Sequence, residues 1–174
     1  MYKVYQLRRA CGRSELDEVK RLVNEGVDVD SADGNDGWTP LMFAAHLGYN
    51  GNVDIIQFLL DRGANVNSHN NYGWTPLMIA ANNDHSHVDI VQFLLNSGAN
   101  VDMKSNDGVM ALHDAASYGH DEIVRLFIER GANIHMKANS GRTPLDDAKQ
   151  FNHPLTAAII ETTMQSIKGE NNNY

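Results

Sequence analysis

Apolar residues in this chain fall into short groups with the spacing of one helix face. The clearest group places them at positions 0, +1, +4 and +5, as in Ile55, Ile56, Leu59 and Leu60. The same spacing recurs in Ile90, Val91, Leu94 and Leu95, and in Ile123, Val124, Phe127 and Ile128. Side chains so placed share one side of an α-helix, so each group predicts an amphipathic helix. A glycine follows each group where a left-handed C-cap is expected, at Gly63, Gly98 and Gly131.

A second pattern, built on Thr-Pro and paired alanines, precedes each of these helices. It reads Gly-Trp-Thr-Pro-Leu-Met-Phe-Ala-Ala over 37–45, and variants occupy 73–81, 108–116 and 141–148. Threonine caps helix N-termini and proline is tolerated in the first turn, so each Thr-Pro pair predicts the start of a short helix. The variant at 108–116 lacks both residues, and losing the cap costs about 1 kcal/mol. We therefore expect the helix over 110–117 to be less stable than the one over 40–46.

The two patterns recur together. The glycines that end the second helix of each unit, Gly26, Gly63, Gly98 and Gly131, are 37, 35 and 33 residues apart. One unit of this size cannot bury its apolar face alone, so the period predicts a stacked array. The units resemble the ankyrin repeat, with its Gly-x-Thr-Pro-Leu-His-x-Ala-Ala start and Leu-Leu-x-x-Gly-Ala-x-Val-Asn end. The resemblance implies an all-α solenoid of helix–turn–helix units with β-hairpin-like turns, in which inner helices and turns line a concave face.

Five units account for most of the chain. We expect one array over 1–167, with an N-terminal cap repeat at 3–33, internal repeats at 34–69, 70–104 and 105–137, and a C-terminal cap repeat at 138–167. Residues 168–174 are expected to form a flexible tail. Small insertions at 48–52 and 84–87 lie between the two helices of their repeats. These insertions are either neutral loop variation or part of a binding face.

Composition and charge narrow the function classes. The chain has 174 residues, 42% of them hydrophobic, with a net charge of −8 and one cysteine. The acidic balance disfavours nucleic acid as a partner, and no signal peptide or membrane span is evident, so we expect no membrane association. A lone cysteine fits a reducing compartment. We expect a cytoplasmic protein, or one in a host cytosol if its source is a microbe that secretes it as an effector.

Few residues suggest chemistry. His85 and His87 are too few for a zinc site, which needs three or four ligands, and His113 is expected to hydrogen-bond between repeats. Cys11 has arginines near it in sequence but no base, so it is expected to be structural. No phosphate-binding loop or nucleophile elbow is present. We therefore expect no catalytic residue, no metal and no cofactor.

With no candidate for catalysis, binding of a partner is the remaining class of function. The resemblance implies that partners contact the turn tips, the residue after the turn glycine, and the two residues after the paired alanines. Both tryptophans of the chain fall at the post-glycine position of consecutive repeats. They form a partner-contacting patch or, alternatively, each indole packs on its own turn. The candidate partner-binding set is Asp36, Trp38, His46, Leu47, Asn71, Tyr72, Trp74, Asn82, Asn83, Asn106, Tyr118 and Arg142.

These observations predict a non-catalytic protein-interaction module that acts as an adaptor or an inhibitor. The second and third repeats hold only Arg62 and Lys104 as fixed positive charges, which favours a basic or neutral partner surface. A monomer is expected. One alternative is a receptor for a small ligand or nucleotide that uses the tryptophans as a stacking platform. Another is a passive scaffold.

Overall fold

The computed structural model describes residues 2–32, 34–46, 52–82 and 87–171. These residues form ten helices and, within those ranges, no strand. In chain order the helices are α1 (Tyr2–Gly12), α2 (Leu16–Asn24), α3 (Pro40–His46), α4 (Asn52–Asp61), α5 (Pro76–Ala81), α6 (Val88–Asn96), α7 (Ala111–Tyr118), α8 (Asp121–Glu129), α9 (Pro144–Gln150) and α10 (Pro154–Asn171). The all-helical fold of paired helices is confirmed. Among the helices so described, none is long and apolar enough to span a bilayer.

Three of the inner helices begin as the Thr-Pro pairs predict. Pro40, Pro76 and Pro144 are the first residues of α3, α5 and α9. The threonine hydroxyl before each proline accepts a hydrogen bond from the backbone N–H three residues later, at 3.4, 3.3 and 3.3 Å respectively. In α9, Asp146 also accepts from the Thr143 N–H at 2.9 Å, which completes a capping box.

Helix α7 has a different start. His113 takes over part of the missing cap, because its Nδ1 accepts from the Met110 N–H at 3.3 Å. Its Nε2 lies 3.2 Å from the Arg142 carbonyl oxygen of the next repeat. These partners require the neutral imidazole with the proton on Nε2. The expected hydrogen bond between repeats is thereby confirmed, while the lower stability of α7 stays a prediction.

The first compact unit comprises residues 1–80 and 89–100. Helix α1 packs on α3, and α2 packs on α4, so inner helices lie beside inner helices and outer beside outer. The largest fully buried side chains here include Leu7, Leu22, Leu41, Ile55 and Leu59. They come from four helices, so the amphipathic faces read from the sequence form this core.

The second compact unit comprises residues 81–88 and 101–174. It has the same arrangement, with α7 on α9 and α8 on α10, around Met110, Phe127 and Ile160. Helix α10 continues to Asn171, so residues 168–171 of the expected flexible tail are helical. The physical reason is that no helix-breaking residue stands between Pro154 and Gly169. Residues 172–174 lie outside the described ranges.

The turns are tied to one another by asparagines. Asn71 donates its N–H to the Asp36 carbonyl oxygen at 2.9 Å and its side-chain amide to Asn35 at 2.8 Å. Asn139 repeats both bonds in the second unit, to Asp107 at 2.9 Å and to Asn106 at 3.0 Å.

Gly37 has φ +77°, and a Cβ there would lie 2.7 Å from the Asn71 Oδ1. Only glycine fits this turn without strain.

Candidate functional site

Trp38 lies at the base of a turn in the first unit, where it packs on the inner helix that follows. Its ring centroid is 5.3 Å from that of Phe43 and 5.3 Å from that of His46, the latter edge-on at 80°. The indole is half-buried and His46 is exposed at the end of α3. These contacts lie within one repeat, as the interpretation of an indole packed on its own turn expects. They also hold the ring fixed at the surface.

The next turn of the first unit carries two more aromatic residues, Tyr72 and Trp74. Tyr72 is 56% exposed, and its hydroxyl donates to the Asp36 Oδ1 at 3.1 Å. That carboxylate raises the pKa of the phenol above its ordinary value, mainly through the hydrogen bond. Trp74 is half-buried, and its backbone N–H is held by the buried Asn70 side chain at 2.9 Å. Asp36, Trp38, Tyr72 and Trp74 therefore occupy two adjacent turns of the same unit.

Two of the expected contact residues have structural work in the turns. The Asn71 amide bonds to Asn35, and the Asn106 carbonyl oxygen accepts from Asn139. Both asparagines remain exposed. Leu47 and Asn83 of the candidate set lie outside the described residues, as does His85.

The inner-helix surface of the second unit is polar. Asn82 donates its amide to Asp114 Oδ1 at 2.8 Å, and Arg142 Nε donates to Asp147 Oδ1 at 2.7 Å. Tyr118, which is exposed, stacks on His120 with ring centroids 5.7 Å apart. Two of the candidate residues of this unit, Asn82 and Arg142, thus bond to aspartates that were not among the predicted site residues.

Both aspartates occupy one position of the repeat, which is apolar in the preceding repeats. The residue just before the first alanine of the pair is Phe43, Ile79, Asp114 and Asp147 in successive repeats. The residue five positions before it is the post-glycine residue of the same repeat. These two residues are in contact in the pairs Trp38–Phe43 and Arg142–Asp147. The change from apolar to acidic at one repeat position was the sequence signal that could have identified Asp114.

Asp114 is the most perturbed carboxyl group among the residues described. It is 7% exposed, and its Oδ2 has no hydrogen-bond partner. Burial, with a smaller contribution from the Asp147 charge, raises the pKa of Asp114 to about 7, against the opposing bond from Asn82. An unsatisfied buried oxygen costs free energy, so its presence requires an explanation.

In the described ranges the candidate nucleophile Cys11 is buried and possible metal ligands are dispersed. Within them, no group of three or more His, Cys, Asp or Glu could hold a metal ion. Burial raises the pKa of the Cys11 thiol to about 12, so this sulfur is a packed side chain and not a nucleophile. Asp146 faces solvent while its neighbour Asp147 is buried, so the two carboxylates do not act as a pair.

The chain is similar to known proteins that contain ankyrin repeats. The family model described as ankyrin repeats (3 copies) matches residues 7–105 and 85–164. The chain is 43% identical over 60 residues to the ankyrin repeat, SAM and basic leucine zipper domain-containing protein 1 of Carollia perspicillata. It is 42% identical over 59 residues to the protein of that name in Mus musculus. Each match covers 34% of this chain and 12% of the relative. On the extent of the family match, together with the paired helices and the hydrogen-bonded turns, this chain belongs to the ankyrin repeat family.

Proposed function

We propose that this chain is a non-catalytic protein-binding module, an adaptor or an inhibitor, that captures a partner on the turns and inner helices. Ankyrin repeats are in general protein–protein interaction modules. The observation that carries the proposal for this chain is the aromatic group on adjacent turns of the first unit. Trp38 is fixed by Phe43 and His46, and the exposed Tyr72 is fixed by Asp36.

Such residues suit recognition for a physical reason. Tryptophan and tyrosine are enriched at binding hot spots because they bury a large area at a small cost in conformational entropy. Rings already held by neighbours lose even less entropy when a partner binds. A surface of preorganised aromatic side chains therefore favours tight contact with a protein.

Charge indicates the sign of the partner surface. Asp36 contributes a carboxylate beside Tyr72, whereas Arg62 bonds to Asn24 and lies over the Phe58 ring at 4.5 Å, on the outer helices. A basic or neutral partner surface complements this arrangement. A phosphate group would meet the Asp36 carboxylate, which makes a nucleotide the weaker candidate.

The test is partner capture by the Trp38→Ala/Trp74→Ala double variant. We expect at least a tenfold loss of affinity for the captured protein, since each hot-spot truncation costs about 2 kcal/mol. Phe58→Ala, which removes a half-buried aromatic ring from the outer helix α4, is the matched control and should bind normally. Thermal unfolding followed by circular dichroism checks that both variants fold. Full affinity in the double variant would refute the proposal, and tryptophan fluorescence that responds to ATP would favour the nucleotide receptor instead.

A further inference from the structure

Two inner helices of the second unit carry a buried carboxylate at the same repeat position, Asp114 in α7 and Asp147 in α9. Their surroundings differ in one respect. Asp147 receives a guanidinium N–H from Arg142, the post-glycine residue of its own repeat, at 2.7 Å. The post-glycine residue in the repeat of Asp114 is Val109, which has no side-chain donor.

The Arg142–Asp147 pair shows how a carboxylate at this depth is reached. The Asp147 side chain is 5% exposed, yet the Arg142 side chain that bonds it is 46% exposed. A guanidinium can therefore lie at the surface over the post-glycine position and direct one N–H inward to the carboxylate. The geometry does not require the cation itself to be buried.

Asp114 has the acceptor for such a group and lacks the donor. Its Oδ1 is occupied by the Asn82 amide at 2.8 Å, and its Oδ2 has no partner. The nearby Asp147 charge raises the energy of an ionised Asp114 further. A cation that bonds Oδ2 would relieve both the missing hydrogen bond and the repulsion.

We propose that Asp114 Oδ2 is the acceptor of a subsite for an arginine side chain of the bound protein, whose guanidinium lies over Val109. The subsite deepens the proposed function and rests on it, because Asn82 and Arg142 belong to the same binding surface. Arginine fits better than lysine, since the planar guanidinium offers several donors and is less strongly hydrated. The raised pKa of Asp114 is consistent with a carboxylate that lacks its cation in the free protein.

The first test builds the missing cation into the chain. Val109→Arg should lower the measured pKa of the Asp114 carboxyl by at least two units relative to Val109→Gln, in a carbon-13 NMR titration. Both variants should fold, because tryptophan and arginine already occupy the equivalent position in other repeats. Equal Asp114 pKa values in the two variants would show that a guanidinium over position 109 does not reach the carboxylate, and would overturn the proposal.

The second test supplies the cation from outside. At pH 8 the capped peptide acetyl-Gly-Arg-Gly-amide, titrated to 20 mM, should shift the amide signals of residues 109–115 and Asn82 saturably. The matched glutamine peptide should not shift them, nor should the arginine peptide act on Asp114→Asn or Val109→Arg. Responses to the two peptides that are alike, or absent, would count against the subsite. Neither test uses the natural partner, so their outcome is separate from that of the tryptophan variants.

Discussion

Single polar side chains form hydrogen bonds that connect one repeat to the next. Asp30 and Asn67 accept hydrogen bonds from the backbone N–H groups of Asn65 and Asn100 in the first unit, at 3.1 and 2.8 Å. Asp102 accepts from the Asn133 N–H at 2.9 Å in the second. Short Asn and Asp side chains suit this role because they bond the backbone readily within turns. Some of the 19 asparagines of the chain therefore have a structural role.

At this scale Asp114 gives a prediction about pH. Its folded pKa of about 7 lies above its ordinary value of 3.8, so the folded state keeps a proton that the unfolded state has lost. The stability it contributes is complete below pH 4 and is lost as pH rises towards 7. The free energy of unfolding of Asp114→Asn should therefore rise by about 2–4 kcal/mol relative to that of wild type between pH 4 and pH 7. The scale is about 1.4 kcal/mol per pKa unit. Urea unfolding at pH 4, 5.5 and 7.5 measures the difference.

The comparison with a variant is needed because other groups titrate nearby. Burial lowers the pKa of His113 below its ordinary 6.5, so its contribution falls as pH drops below 6.5, opposite to that of Asp114. Asp146 is the matched control, since its bonds to Thr143 lower its pKa. Asp146→Asn should lose stability at neutral pH. A pH-independent difference between wild type and Asp114→Asn would contradict the assignment.

At the scale of elements, each helix is set by its ends. Helices α3, α5 and α9 start at a threonine-capped proline, whereas α7 starts after Met110, whose N–H donates to the His113 imidazole. The fourth residue of the helix is aromatic or aliphatic in α3 and α5, but it is aspartate in α7 and α9. Local rules thus place the helices, while the side chain at this position sets the polarity of their inner face.

His113→Ala tests the cap of α7. The substitution leaves the Met110 N–H and the Arg142 carbonyl oxygen without their imidazole partner, so we expect a loss of about 1–3 kcal/mol. His113→Gln is the matched control, because glutamine at this position can still accept from the N-cap N–H and should lose less. Native-state hydrogen exchange should show residues 110–117 exchanging faster than 40–46, and faster still in the alanine variant. Equal protection of the two segments would refute the weaker start.

At the scale of the whole molecule, the chain is built from neighbour-to-neighbour contacts. Within each unit the helices that pack on one another, such as α1 on α3 and α7 on α9, belong to the same repeat or to adjacent repeats. Stability in such proteins is approximately a sum of repeat and interface contributions. A change to one link between repeats should therefore act locally.

Asp102→Ala tests this expectation. It removes the acceptor for the Asn133 N–H and should cost about 1 kcal/mol. Asp102→Asn retains an Oδ1 acceptor, as Asn67 does at the equivalent position, and should be close to neutral. Hydrogen exchange should show the loss of protection in residues 101–171, with the first unit unchanged. A loss spread evenly over the chain would mean that the links are not local.

The period, the family and most helix positions can be read from the sequence. Those features depend on spacing, N-caps and C-cap glycines, which act within a few residues of the chain and so can be read in order. It also placed Trp38 and Trp74 at matching turn positions. It did not distinguish an asparagine available to a partner from one that ties two turns together, as Asn71 does.

The environment of the inner aspartates and of Cys11 depends on the tertiary structure. Asp114 meets Asn82, 32 residues away, and Asp147 meets Arg142, because neighbouring repeats stack and turns fold over inner helices. Burial and hydrogen bonding between such residues set their pKa values and their free acceptors, and no local pattern encodes either. The sequence therefore predicts the position of the proposed binding surface, and the packing of one repeat on the next determines the charge and hydrogen bonding of its residues.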